Sequence, residues 1–220
     1  MHGTPSQTDI VSGTQRPTAL TVPLYGPEAV AGMRRAGRLA AEVLDLLVPK
    51  VVPGVTTAAL DKVAFEYIVG HRAVPACLGY RGYRHTLCTS LNHVVCHGIP
   101  NEKPLREGDI VNIDVTVIVD GWHGDTSRMF LVGEVKRKAT RLVDITYDAM
   151  MRGIEIIKPG VTLGDIGHAI QQYVEAQRFS VVREYCGHGI GKVYHEDPQV
   201  LHYGQRGTGL KLEKGMTFTV

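Results

Sequence analysis

The chain has 220 residues, 44% hydrophobic and 21% charged, the make-up of an ordinary soluble globular protein with one large domain or two small ones. Its formal net charge of +2 is too small to argue for nucleic acid, and no apolar run reaches membrane-spanning length. Cys77, Cys88, Cys96 and Cys186 include no C-x-x-C pair, which argues against a zinc ribbon or a disulfide framework and for reduced thiols in a cytoplasmic chain.

Residues 1–23 are rich in Thr, Ser, Gln, Gly and Pro, and the expectation is a flexible N-terminal tail. It lacks the apolar core of a secretory signal, and its single arginine, Arg16, is too few for a transit peptide. Pro27-Glu28 opens a helical stripe through Met33, Ala36, Ala40, Val43, Leu44 and Leu47, stopped by Pro49. A second helix is predicted from Thr57 to about Val69, and strands from about Thr86 onward. A further helix pair is predicted over 138–157 and 163–177, the latter opened by a capping box at Thr162 and Asp165. The basic clusters Arg34-Arg35-Arg38 and Lys136-Arg137-Lys138 read as solvated helix surface.

Between the helices lies the stretch Asp109 to Gly133, with Asp120-Gly121 as a strong two-residue hairpin turn. With that turn, Val119 pairs with Trp122, Asp114 lies opposite Ser127, and Asp125 lies opposite Thr116. Side chains alternate faces, so Asp114 and Asp125 project from one side as diagonal neighbours, roughly 7–8 Å apart. Val111, Ile113, Val115, Val117 and Val119 form the opposite, apolar wall. The aspartates are open to two readings at this point, a solvated strand face or a pair of metal ligands. The span would admit two ions ~3.5–4 Å apart, or one ion between them.

Pro53-Gly54-Val55-Thr56 recurs as Pro159-Gly160-Val161-Thr162. Each copy follows a long helix and precedes a shorter one, and Tyr67 and Tyr173 stand at matching distances beyond the Thr. A duplicated α-α-β unit is expected, with a site between the halves. Besides the two aspartates, three segments carry chemistry: Cys96-His97-Gly98-Ile99-Pro100, Cys186-Gly187-His188-Gly189-Ile190-Gly191 and His195-Glu196-Asp197-Pro198. Each alone fits a turn or a satisfied core histidine. Together they suit a divalent-metal hydrolase. The glycine-rich segment lacks the Lys-Ser/Thr ending of a phosphate loop.

The segments C-T-S-L-N-H-V-V-C-H-G-I-P, G-D-I-V-N-I-D-V-T-V, H-G-D-T-S, V-V-R-E-Y-C-G-H-G-I-G and H-E-D-P-Q-V-L-H-Y are together specific. Over residues 26–220 the chain resembles the type I (bacterial-type) methionine aminopeptidases. The resemblance implies the pita-bread α/β (α+β) fold, pseudo-twofold duplicated halves around a curved antiparallel sheet, in one catalytic domain over 24–220. It implies removal of the initiator methionine from nascent chains when the second residue is small, using two divalent ions (Co, Mn, Fe or Zn). By position, Asp114, Asp125 and His188 would be metal ligands, with Asp125 bridging. His97 and His195 would contact the scissile peptide, and His195 would help stabilise the tetrahedral intermediate. Tyr80, Tyr83, Cys88 and Tyr194 match the pocket for the methionine side chain, where sulfur packs against aromatic rings. The same resemblance implies a monomer acting in the cytoplasm, with the ribosome as a partner.

In the family, the motif corresponding to Lys214–Val220 is followed by Glu-Pro, and a second ligand glutamate lies further on. Here Val220 is the last residue. The expectation is therefore an incomplete chain lacking two glutamate ligands and the last strands, binding metal weakly and nearly inactive. The alternatives are a prolidase or Xaa-Pro aminopeptidase of the same fold, and a non-catalytic binding scaffold.

Overall fold

Apolar residues at helical spacing after Pro27 form α1 (Pro27–Leu47), with proline in the first turn where its missing N–H costs nothing. The computed structural model describes residues 21–220, so the expected tail lies outside the described residues up to residue 20. The buried face of α1 runs through Gly32, Ala36, Leu39, Ala40, Val43, Leu44 and Leu47. Met33, placed in the stripe from sequence, is only half-buried. Gly32 takes that place because the Trp122 indole lies where a Cβ would stand.

The remaining elements are α2 (Thr57–Gly70), β1 (Val74–Pro75), β2 (Leu87–Leu91), β3 (Ile110–Val119), β4 (Trp122–Leu131), α3 (Arg137–Glu155), α4 (Leu163–Ala176), β5 (Gly187–Gly189) and β6 (Glu196–Val200). Strand β3 is the spine of an antiparallel sheet. Its one edge pairs with β4, and its other edge is shared by β1 and β2. The Asp-Gly turn fixes the β3–β4 register as expected, with Val119 opposite Trp122, Asp114 opposite Ser127 and Thr116 opposite Asp125. Both turn residues have positive φ, 51° at Asp120 and 79° at Gly121, the backbone twist that two-residue hairpins need.

Val111, Ile113, Val115 and Val117 are fully buried beneath α1 and α2 and make the centre of a first core. A second, smaller core gathers Ala149, Ile166, Ile170, Val174, Val200 and Leu212 around α3, α4 and β6. Two cores, one per half, are what a duplicated unit predicts.

The duplication is visible bond by bond. Gly54 and Gly160 share φ of 93°, a left-handed conformation that glycine adopts without penalty. The Gly54 amide donates to the Leu105 carbonyl at 2.8 Å, and the Gly160 amide to the Leu212 carbonyl at 2.9 Å. Thr56 caps α2 by accepting from the Ala59 amide, and Thr162 caps α4 within the expected capping box with Asp165. Tyr67 donates to Glu42 on α1, while Tyr173 donates to Asp148 on α3. Two residues beyond each of α2 and α4 stands a left-handed arginine, Arg72 at φ 58° and Arg178 at φ 62°.

One buried group in the first core lacks a partner. Thr89 pairs with Ile113 on the apolar wall, is 3% exposed, and its Oγ1 has no hydrogen bond among the described residues. Valine has the same shape without the desolvated hydroxyl, whose burial costs about 1–3 kcal/mol. Thr89→Val is therefore expected to raise stability by about 1 kcal/mol, or ~2–4 °C in Tm for a chain of this size. A thermal melt in which Thr89→Val unfolds at or below the parent temperature would contradict the orphaned hydroxyl.

Candidate functional site

Period-2 alternation puts Asp114, Thr116 and Asp125 on the face of β3 and β4 opposite the core wall, and His123 joins them. Across from this face, β5 brings His188. That strand is held between β6 and the segment ending the chain: the His188 amide donates to Thr219 Oγ1 at 3.1 Å, and the Thr219 amide donates to the His188 carbonyl at 2.8 Å. Gly187 and Gly189 flank His188 because backbone runs against both, the Thr219 carbonyl at one and the Asp197 carbonyl at the other.

His188 Nε2 lies 3.4 Å from Asp125 Oδ2. Its Nδ1 donates to the Gly189 carbonyl at 2.9 Å, which leaves Nε2 facing Asp125: protonated, it donates to that carboxylate, and deprotonated, it offers a lone pair there. Burial pulls the imidazole pKa down, but the Asp125 hydrogen bond and charge and the Gly189 carbonyl outweigh it and leave it above the ordinary value. Burial, then the neighbouring Asp125 charge, push the Asp114 carboxyl well above the usual carboxylate range. Two carboxyls in this setting cannot both ionise cheaply without a cation.

These features fit a divalent ion. The donors are two carboxylates and an imidazole whose Nε2 is freed by a backbone hydrogen bond on Nδ1, the usual arrangement of a ligating histidine. Their geometry is partial: no group of three or more His, Cys, Asp or Glu among the described residues is arranged to hold an ion by itself.

Beside the carboxylates opens a cavity of about 690 Å³ whose lining includes Cys77, Tyr80, Tyr83, Cys88, His97, Asp114, Tyr194 and His195. All the side chains expected to contact substrate thus converge on one space. His97 has φ of 54°, a strained value for a non-glycine residue. Its loop is drawn onto β2, where the Thr89 amide donates to the Gly98 carbonyl at 2.7 Å and a Cβ on Gly98 would strike that same strand. The Tyr83 hydroxyl donates to the Leu87 and Gly98 carbonyls at 2.9 and 3.2 Å, tying the cavity wall to the His97 loop.

The floor is aromatic. Tyr194 stacks on His195 with centroids 4.1 Å apart and on His123 at 5.5 Å, and His195 lies 4.3 Å from the His188 ring. The Tyr194 hydroxyl bonds Thr116 Oγ1 at 2.8 Å and Cys77 Sγ at 3.2 Å. Burial lifts the Tyr194 phenol above its ordinary value. His195 moves the other way: burial and the neighbouring His188 lower it to about 4, so it is neutral at pH 7. Cys77 and Cys88 are coupled: their mutual interaction holds the Cys77 thiol below its ordinary value and, with burial, pushes the Cys88 thiol above it.

His123 and Cys77 escaped the sequence reading. His123 is buried, its amide and Nδ1 both donate to the Gly191 carbonyl at 3.0 Å, and it thereby fastens the hairpin of the first half to the His195 loop of the second. Its signal was available, since it stands two residues before Asp125 on the same strand and so on the same face. Cys77 had no such signal, because only tertiary folding brings it against Cys88 and Tyr194.

Residues 31–220 match the model of metallopeptidase family M24. The methionine aminopeptidase of Rickettsia prowazekii (strain Madrid E) is 57% identical over 201 residues, covering 91% of this chain and 78% of that protein. A crystal structure of methionine aminopeptidase from Rickettsia prowazekii superposes with a TM-score of 0.89 at 56% identity, over 90% of this chain and 80% of that one. The prolidase from Pyrococcus furiosus superposes at 0.73 with 19% identity, over 89% of this chain and 56% of that one, a likeness of fold alone. Paired aspartates on one hairpin face, a histidine answering from the second half and this degree of likeness lead to one conclusion: the chain belongs to metallopeptidase family M24, among the methionine aminopeptidases.

Proposed function

We propose that the chain is a metal-dependent aminopeptidase that removes an N-terminal methionine from polypeptides whose second residue is small. The observation that carries this is the junction of the Asp114–Asp125–His188 donor set with the aromatic cavity in a chain 57% identical to a methionine aminopeptidase. The Xaa-Pro reading is less favoured, because the prolidase likeness extends to the fold alone. The non-catalytic reading has no support in a site that keeps both aspartates and the histidines.

Asp114, Asp125 and His188 would hold the metal, with the pairing of Asp125 to both partners suiting it to bridge two ions. Divalent ions, which we take to be two of Co, Mn, Fe or Zn, would supply an acidified water and an anchor for the substrate amine. Tyr80, Tyr83, Cys88 and Tyr194 bind the methionine side chain, with Cys77 at the floor beside Cys88. A thioether packs well against such a soft, aromatic surface. His97 and His195 orient the scissile peptide, and neutral His195 can donate a hydrogen bond to the carbonyl oxygen as charge gathers there. Residues 24–220 act as one catalytic domain, as a monomer in the cytoplasm, on nascent chains emerging from the ribosome.

The test is cleavage of Met-Ala-Ser against a Xaa-Pro dipeptide with Mn(II) or Co(II) added. Methionine release from the first and none from the second is expected, and the ratio rather than the absolute rate decides. Preferential turnover of the Xaa-Pro dipeptide would overturn the assignment.

A further inference from the structure

We infer that Tyr80 is a positioning residue: its hydroxyl donates to His195 Nδ1 and so holds His195 in the tautomer that carries its proton on Nε2. The inference rests on the aminopeptidase reading above and deepens it, by naming what prepares His195 to act as a donor.

The Tyr80 oxygen lies 3.0 Å from His195 Nδ1, and among the described residues neither group has another hydrogen-bond partner. A neutral imidazole has one N–H and one lone pair, so the bond has two possible directions. If Nδ1 donated, the Nε2 lone pair would meet the carbonyl oxygen of a bound peptide, acceptor against acceptor. If Tyr80 donates, Nε2–H is left without a protein partner and free for that oxygen. One feature favours the second direction. The Arg81 guanidinium sits over the Tyr80 ring, 5.4 Å from its centroid, and a cation there strengthens the phenol as a donor. Tyr194 and Tyr80 both stack on the His195 ring, at 4.1 and 5.3 Å, which keeps Nδ1 turned to the Tyr80 hydroxyl whichever group donates.

The backbone holds Tyr80 to this task. Gly79, Arg81 and Gly82 have φ of 87°, 48° and 85°, a tight turn in which a non-glycine residue carries a left-handed conformation. The turn is closed by hydrogen bonds from the Gly79 amide to the Tyr83 carbonyl at 2.7 Å and from the Tyr83 amide to the Tyr80 carbonyl at 2.9 Å. The phenol is thus delivered from the first half of the fold to a histidine of the second.

The experiment compares the parent chain with Tyr80→Phe, which keeps the ring in the cavity wall and removes only the hydroxyl. Nitrogen-15 NMR of labelled histidine reads the tautomer directly. The parent is expected to show His195 Nδ1 as an unprotonated, hydrogen-bonded nitrogen, and Tyr80→Phe to show a mixture of tautomers. On Met-Ala-Ser with Mn(II), kcat should fall about tenfold, the worth of one ordinary hydrogen bond, with KM within about twofold. A protonated Nδ1 in the parent, or a tautomer unmoved in Tyr80→Phe, overturns the inference. Should the parent cleave no peptide at all, that counts against the proposed function, and the NMR result still decides the role of Tyr80.

Discussion

Asp114→Asn is expected to weaken Mn(II) binding at least about a hundredfold while making the metal-free protein more stable. Removing even a partner of a metal ligand costs 10–100-fold in affinity, and Asp114 is proposed as a ligand itself. The gain in stability has a separate cause. Without a cation, burial and the adjacent Asp125 charge hold the Asp114 carboxyl well above its ordinary range, so its ionised form opposes folding at neutral pH. An amide of the same shape carries no charge, so that penalty is relieved and the metal-free Asp114→Asn chain should melt above the parent. Asp125→Asn should differ in a telling way. It also removes the repulsion, but it takes from His188 the carboxylate 3.4 Å away, so its metal-free gain should be smaller. Calorimetric titration with Mn(II) and thermal melts in chelator check both halves. An Asp114→Asn chain that binds Mn(II) like the parent, or melts lower in chelator, would remove Asp114 from the metal centre.

Gly124→Val should be among the most damaging single changes outside the proposed metal ligands. Gly124 lies on β4 between His123 and Asp125, and a Cβ there would be driven into the α1 backbone at Ala36 and Gly37. Backbone atoms cannot rotate aside as a side chain can. Either α1 lifts from the sheet or β4 shifts, and both moves displace Asp125. Overpacking of this kind costs about 1–3 kcal/mol per site, and valine here belongs at the upper end. With ~2–4 °C per kcal/mol, Tm should fall by about 6–12 °C. Gly37→Ala is the matched control, because its added Cβ meets nothing within 4 Å and alanine favours the helix. Equal melting of Gly124→Val and the parent would mean that the helix does not press on the strand as closely as described.

Much of this could be read from the chain because local rules settled it. The Asp-Gly turn pins the hairpin register, and once the register is set, alternation alone places Asp114 and Asp125 together. The two Pro-Gly-Val-Thr turns announced the duplication, and their hydrogen bonds match partner for partner. The role of Gly32 was hidden, since nothing in the α1 pattern says that an indole from β4 will lie there. The network of Tyr194 with Thr116 and Cys77 was hidden for the same reason. Its members are far apart along the chain, and only packing between the halves brings them within reach. Roles carried by one strand or one turn were legible, while roles created between the halves were legible only through resemblance.

The separation into two cores gives bound metal a mechanical meaning. Asp114 and Asp125 belong to the sheet over the first core, and His188 to the strand pair beside the second. An ion grasped by all three would act as a rivet through both plates. Sliding one half past the other would then require releasing it, and resistance to that slippage grows with the logarithm of free ion concentration. The protein's rigidity would then be partly a property of its surroundings, set by the metal supply as much as by the amino acids.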